Sequence, residues 1–185
     1  MAVPIQKQLW TIEEFERAWD EGAFPPDVRL ELIRGEIVEM PPIGGPHIAC
    51  VVRLITLMSR LFPKAQVSPQ NPLRISDRIS IPQPDIVVIG TRTDLAENPP
   101  TDEDSLLLIE VADSSLHRDR KDKIPLYAEA GIPESWLVDL NSGTLFVYRR
   151  PSPEGYQDVR AYRRGESVAP EAFPDVLFTV DEILG

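Results

Sequence analysis

Apolar residues along the chain switch between a helical and an alternating period. Ile12, Phe15 and Trp19 recur at helical spacing. Thr11 before them fits an N-cap and Glu14 completes a capping box, while Gly22 and Pro25-Pro26 close the helix. Val28 to Met40 alternates instead, with Leu30 and Leu32 before Arg34-Gly35 and Ile37 after it, which predicts a hairpin turning at Arg34-Gly35. A broad stripe of Ile48, Val51, Val52, Ile55, Met58 and Leu61 predicts a helix over 47–61, with Pro46 in its first turn. Two strands are expected over 67–75 and 79–89, joined by a turn at Ser76-Asp77-Arg78. Pro82 and Pro84 confine a regular ladder to the residues after Asp85. Ile86–Ile89 and Leu106–Val111 are continuous apolar runs, as in strands covered on both faces. The segment after Ala112 leads into a helix that stops at Gly131. Ser135–Leu140 and Thr144–Arg150 form a hairpin around Asn141-Ser142-Gly143, residues 156–164 add an edge strand, and a short helix ends the chain.

This order of elements predicts an α/β arrangement, a mixed sheet with helices over its central strands. The length of 185 residues fits one domain over 1–185, with residues 1–9 as a loose N-terminal arm. Neither repeats nor low-complexity segments interrupt it.

Composition narrows the class. A hydrophobic fraction of 42% and a charged fraction of 26% belong to an ordinary globular protein. The 19 prolines fall mostly in connections between apolar runs, so they stiffen loops rather than signal disorder. Cys50 is the single cysteine, inside a helical apolar stripe, and is expected to be a small buried hydrophobe. No charged-then-apolar leader opens the sequence, and no apolar run approaches the roughly 18 residues needed to cross a bilayer. The expectation is a cytoplasmic protein. A net charge of −11 argues against a protein that coats nucleic acid by bulk electrostatics. It leaves room for an acidic metal pocket.

The chemistry concentrates between Gln83 and Asp139. Glu110 stands inside a buried-type strand and Asp85 heads another. A carboxylate in such a place is costly unless it is paired or bound to a metal. If the two strands are neighbours, both carboxylates reach one point. Oxygen donors of this kind suit Mg²⁺ or Mn²⁺, and the Val111 carbonyl is placed to add a third. A metal held there can polarise a phosphodiester and activate water, and the charge that builds on the phosphorus needs a cation. The strand position for a lysine, two residues after Glu110, is Ala112. Lys123 on the following helix is the replacement, with Tyr127 one turn further on the same face and Lys121 as its rival. Pro125 is comfortable only in a first turn, so the helix either begins near Asp122 or kinks.

These stretches resemble a known family. PDIVVI, IEVADSS, DRKDKIPLYAEAGIPESWLVD and LELIRGEIVEM with a downstream Pro-x-His are similar to the Uma-two family of restriction-endonuclease-like proteins, in the PD-(D/E)xK nuclease superfamily. The resemblance runs from about Trp10 to Leu184. It implies a restriction-endonuclease-like core, a divalent metal, DNA as substrate and a homodimer. By position, Asp85 and Glu110 are the motif acids and Lys123 the migrated lysine of a D-R-x-x-K-x-x-x-Y pattern (Asp119, Arg120, Lys123, Tyr127). Glu31 is an acidic residue bordering the site. Ala112 departs from the wider superfamily.

Plainer roles compete for each residue. Asp85 could simply begin a strand, Glu110 could pair with Arg118 or Arg120, and Glu31 with Arg29 or Arg34. His47 could cap a surface helix. Arg149-Arg150 with Arg160, Arg163 and Arg164 could rim a DNA surface or lie solvated. For the whole chain, a metal-dependent endonuclease competes with a non-catalytic nuclease-fold module and, more remotely, with a metal-free carboxylate-pair glycosidase.

Overall fold

The structure, a computed structural model, describes residues 8–61 and 64–185. The predicted arm over 1–9 therefore lies mostly outside the described residues. Directly after it, the Trp10 N–H donates to the Gly35 carbonyl at 2.9 Å. Gly35 has a φ of +76°, and a Cβ there would stand 2.6 Å from Leu9 Cβ, so this turn requires glycine.

Helix α1 (Ile12–Asp20) carries the expected capping box between Thr11 and Glu14. Strands β1 (Leu30–Ile33) and β2 (Glu36–Glu39) form the predicted hairpin, with Arg34 and Gly35 both at positive φ. Helix α2 (Gly45–Met58) follows, with Pro46 in its first turn. The main sheet has six strands, β3 (Ala65–Pro69), β4 (Ile86–Gly90), β5 (Ser105–Ala112), β6 (Glu134–Asp139), β7 (Thr144–Arg149) and β8 (Asp158–Arg163), paired in that order. Only β5 and β6 are parallel. A parallel pair needs a crossover. It is supplied by α3 (Leu116–Arg118), a π-helical turn over Asp119–Lys123, and α4 (Ile124–Glu129). The two-residue strands β9 (Ser167–Val168) and β10 (Phe178–Thr179) pair with each other, and α5 (Val180–Leu184) ends the chain behind a second capping box.

Two expected strands are shorter than their apolar patterns. The 67–75 strand ends at Pro69 and the 79–89 strand begins at Ile86. Between them, Leu73 N–H donates to Pro82 O and Ile75 N–H to Ser80 O, at 2.9 and 3.1 Å. Leu73, Ile75 and Ile81 are buried there without a ladder. Pro72, Pro82 and Pro84 lack the N–H donors that a continuous ladder would use.

The sheet divides the core. On one face Cys50, Leu54 and Met58 of α2 pack on Ile86, Ile109, Val111 and Trp136, joined by Phe178 and Ile183. On the other, Ile124 and Tyr127 of α4 pack on Val87, Leu108, Ala112 and Leu137. Each fully buried aliphatic side chain here contributes about 1.5–3 kcal/mol. Cys50 is buried as expected, and burial pushes its thiol up to about 11. Among the described residues no helix is long and apolar enough to cross a membrane.

Candidate active site

Register brings the two motif carboxylates together. Ile86 stands opposite Ile109 across the antiparallel β4–β5 pair. One step outward, Asp85, just before β4, stands opposite Glu110, whose side chain lies on the α4 face of the sheet and meets Lys123 and Tyr127. Both carboxylates are buried, at 7% and 3% exposure, and both line one cavity with Val111, His47, Arg29, Arg118 and Lys123.

Asp85 is held from three sides. Its Oδ2 accepts the Val111 N–H at 2.8 Å, and His47 Nε2 stands 3.1 Å from each carboxylate oxygen. Gln70 reaches Oδ1 at 3.4 Å, and the Gln70 N–H donates to the Asp85 carbonyl. His47 therefore belongs to the cavity and does not cap a surface helix. Its Nδ1 is buried without a partner.

Glu110 accepts from Tyr127 Oη at 2.6 Å and from Lys123 Nζ at 3.2 Å. Both bonds fall on Oε1. Lys123 Nζ also stands 2.7 Å from Glu31 Oε1. Glu31 is fully buried on β1, where its Oε1 also accepts the Gln83 N–H at 2.7 Å, and among the described residues its Oε2 has no hydrogen-bond partner. It pairs with neither Arg29 nor Arg34, which turn to Gln83 and Glu129. Glu31 thus sits beneath the cavity as the second anchor of Lys123. Asp119, accepting from Ser115 Oγ, completes the cluster.

The π turn places the lysine. Ile124 N–H donates to Asp119 O, one residue further back than in an α-helix. Lys123 is the last residue of this turn, and Pro125 then falls in the first turn of α4, where its missing N–H is tolerated. The conflict at Pro125 is thereby resolved. Lys123 is 2% exposed and points inward, while Lys121 is exposed. Ala112, packed among Ile124 and Tyr127, leaves space where a strand lysine would stand.

Burial pushes the Glu110 carboxyl well above its ordinary range; Lys123 opposes the rise, and Asp119, Asp85 and Glu31 add to it. Asp119 is raised in the same way. Burial alone would depress the Lys123 ammonium, but Glu110, Glu31 and Asp119 outweigh it and hold it above the usual lysine value. Tyr127 is raised by burial and by Glu110, and stays a hydrogen-bond donor. Lining the cavity or directly beneath it are the carboxylates of Glu31, Asp85, Glu110, Asp113 and Asp119, against Arg29, Arg118 and Lys123. With all five carboxyls ionised, that is an excess of two negative charges. Asp85, Glu110 and the Val111 carbonyl are oxygen donors of the kind a hard divalent cation takes, while among the described residues no group of three or more His, Cys, Asp or Glu side chains is gathered to hold an ion by itself. The cavity, about 130 Å³, has room for roughly four waters at about 30 Å³ each.

Of the five arginines of the expected rim, Arg149 is held by Glu134 at 2.7 Å, Arg160 and Arg164 pair with Asp158 and Asp181 on the surface, and Arg150 donates to the Gln157 carbonyl at 3.2 Å. Arg120 stacks over Phe146, 4.3 Å from its ring centre, and so is not the partner of Glu110.

The six-stranded mixed sheet flanked by helices is the architecture of a nuclease fold. Residues 12–181 match the Uma2 family, described as "Putative restriction endonuclease". The chain belongs to that family. A comparison with curated proteins finds no match. Among solved structures, the chain resembles one described as a "putative nuclease belonging to DUF820 from Anabaena variabilis ATCC 29413", with 19% identity, a TM-score of 0.71 and 98% of each chain covered. At that identity the likeness speaks for the fold.

Proposed function

We propose that this protein is a Mg²⁺- or Mn²⁺-dependent endonuclease that hydrolyses phosphodiester bonds of DNA. The observation that carries the reading is the buried Asp85–Glu110 pair with Lys123 on one cavity of net negative charge. Asp85, Glu110 and the Val111 carbonyl would hold the ion. When bound, it supplies an activated water and polarises the phosphodiester.

The chain's own residues do the rest. Lys123, held by Glu31 beneath the cavity, presents an ammonium that offsets charge developing on the phosphoryl oxygens. Tyr127 fixes Glu110 in place, and His47 with the Val111 N–H fixes Asp85. The family resemblance also brings a homodimer into the proposal, which sedimentation velocity checks.

The test is cleavage of plasmid and linear DNA with Mg²⁺, Mn²⁺ or chelator, for the wild type, Asp85→Asn and Glu110→Gln. Metal-dependent cleavage should drop by at least about 10²–10³ in either variant, with circular dichroism unchanged. Full activity in a folded variant refutes the assignment. Absence of both cleavage and calorimetric metal binding in the wild type would leave a non-catalytic nuclease-fold module.

A further inference from the structure

We infer that Arg118, assisted by Arg29, is the side chain that grips the phosphate of the substrate at the mouth of the cavity. The inference rests on the nuclease reading and adds a substrate-binding element that neither the motif acids nor Lys123 supplies. Lys123 is too committed for that task alone, since it is 2% exposed and already bridges Glu31 and Glu110. A phosphodiester approaching from solvent needs a cation nearer the opening with donors to spare.

Several arginines of this acidic chain are held by carboxylates. Arg34, Arg74, Arg92 and Arg149, for example, each sit within 3.0 Å of a carboxylate. The two arginines lining the cavity differ. Arg29 donates to the neutral Gln83 Oε1 at 3.0 Å and has no carboxylate partner among the described residues. Arg118 makes one long bond, 3.4 Å to the Glu39 carbonyl, and its other terminal nitrogen stops 3.9 Å from Glu31 Oε2. That oxygen is fully buried and has no hydrogen-bond partner among the described residues. The guanidinium is thus drawn towards the cluster without being tied to it. A guanidinium carries five donors in a fork that matches two phosphate oxygens, and among the described residues Arg118 has only these two contacts. At a quarter exposed, it reaches both solvent and cavity. It also leads directly into the π turn that carries Lys123. A phosphate held by Arg118 therefore stands over the same cluster as the proposed metal ligands.

The test measures binding apart from cleavage. A fluorescein-labelled oligonucleotide, single-stranded and duplex, is titrated in the presence of chelator, and the salt dependence of Kd is recorded. The proteins are the wild type, Arg118→Ala, Arg118→Lys, Arg29→Ala and, as control, Arg160→Ala on the far edge strand. Expected for Arg118→Ala is binding weaker by about tenfold or more. The salt slope should fall by about 0.7 on single strands or 0.9 on duplex, the loss of one phosphate contact. Arg118→Lys should recover the slope but only part of the affinity, because an ammonium cannot bind in the forked manner. Arg160→Ala should match the wild type. If the wild type binds and Arg118→Ala, folded by circular dichroism, binds as well with the same slope, this inference falls and the nuclease reading stands. Should Arg118→Ala fail to fold, an Arg118→Lys protein with wild-type affinity and slope overturns the forked contact. A wild type that binds no oligonucleotide in chelator overturns this inference, and the cleavage assay decides the nuclease reading separately.

Discussion

Lys123→Met offers a severe test of the site's electrostatics, because it keeps the buried stem and removes only the ammonium. Two carboxylates with 0% and 3% exposure, Glu31 and Glu110, then lose their shared cation. Glu110 keeps the Tyr127 hydroxyl and Glu31 the Gln83 N–H, so neither is stripped bare. Removing one partner of a buried ion pair costs about 3–5 kcal/mol. For a chain of this length 1 kcal/mol moves Tm by about 2–4 °C, which puts the loss at about 10 °C. The penalty should depend on pH, with a definite sign. Glu110 has a folded pKa above its ordinary value of 4.5. Such a group stabilises fully below its unfolded value, and that contribution is lost as pH rises through the folded value. Lys123 is the cation that restrains the rise, so without it the carboxyl protonates at still higher pH. The penalty is therefore greatest near pH 8 and shrinks towards pH 5. Urea denaturation followed by circular dichroism at the two pH values measures it. A loss below about 1 kcal/mol, or an equal loss at both, would refute the cluster as drawn.

Two further perturbations probe the same residues. Tyr127→Phe removes the 2.6 Å bond to Glu110 and should cost about 1.5–3 kcal/mol in urea denaturation; an unchanged midpoint would count against that bond. Metal affinity should rise with pH, since Glu110 must be ionised to serve as a ligand and its carboxyl is raised. Calorimetric titration with Mn²⁺ at about pH 5.5 and pH 8 checks this, and affinity that is flat or falls with pH would exclude Glu110 as a ligand.

The parts of the site legible in sequence are those where a residue contradicts its surroundings. Glu110 in LLLIEV and Asp85 before IVVIG stand out because a buried strand does not tolerate an idle carboxylate. The Pro125 problem likewise pointed to something irregular around Lys123, which the π turn turned out to be. What sequence concealed was partnership at long range. Glu31 reads naturally as the partner of Arg29 or Arg34 on its own hairpin, whereas its partner Lys123 arrives from the crossover. His47 at a helix start looks like a cap until α2 is laid against the end of β4. The strand ends around Pro69 and Ile86 were misplaced for a different reason. Leu73, Ile75 and Ile81 are buried as strand residues would be, but proline leaves them without a ladder. Strands β9 and β10, two residues each, are too short to carry a period at all.

The π turn has a consequence for how such a protein can vary. An α-helix advances about 100° per residue. The extra residue accommodated between Asp119 and Lys123 therefore sets the angular phase of everything after it. Shortening the segment by one exposed residue would leave every other side chain intact and the composition nearly unchanged, yet rotate the ammonium away from Glu110 and Glu31. Identity at position 123 is thus only half of what keeps the lysine where it is; the other half is a count. Substitutions along this segment are free to accumulate on its exposed side, while a single insertion or deletion within it is read at the site as the loss of a charge.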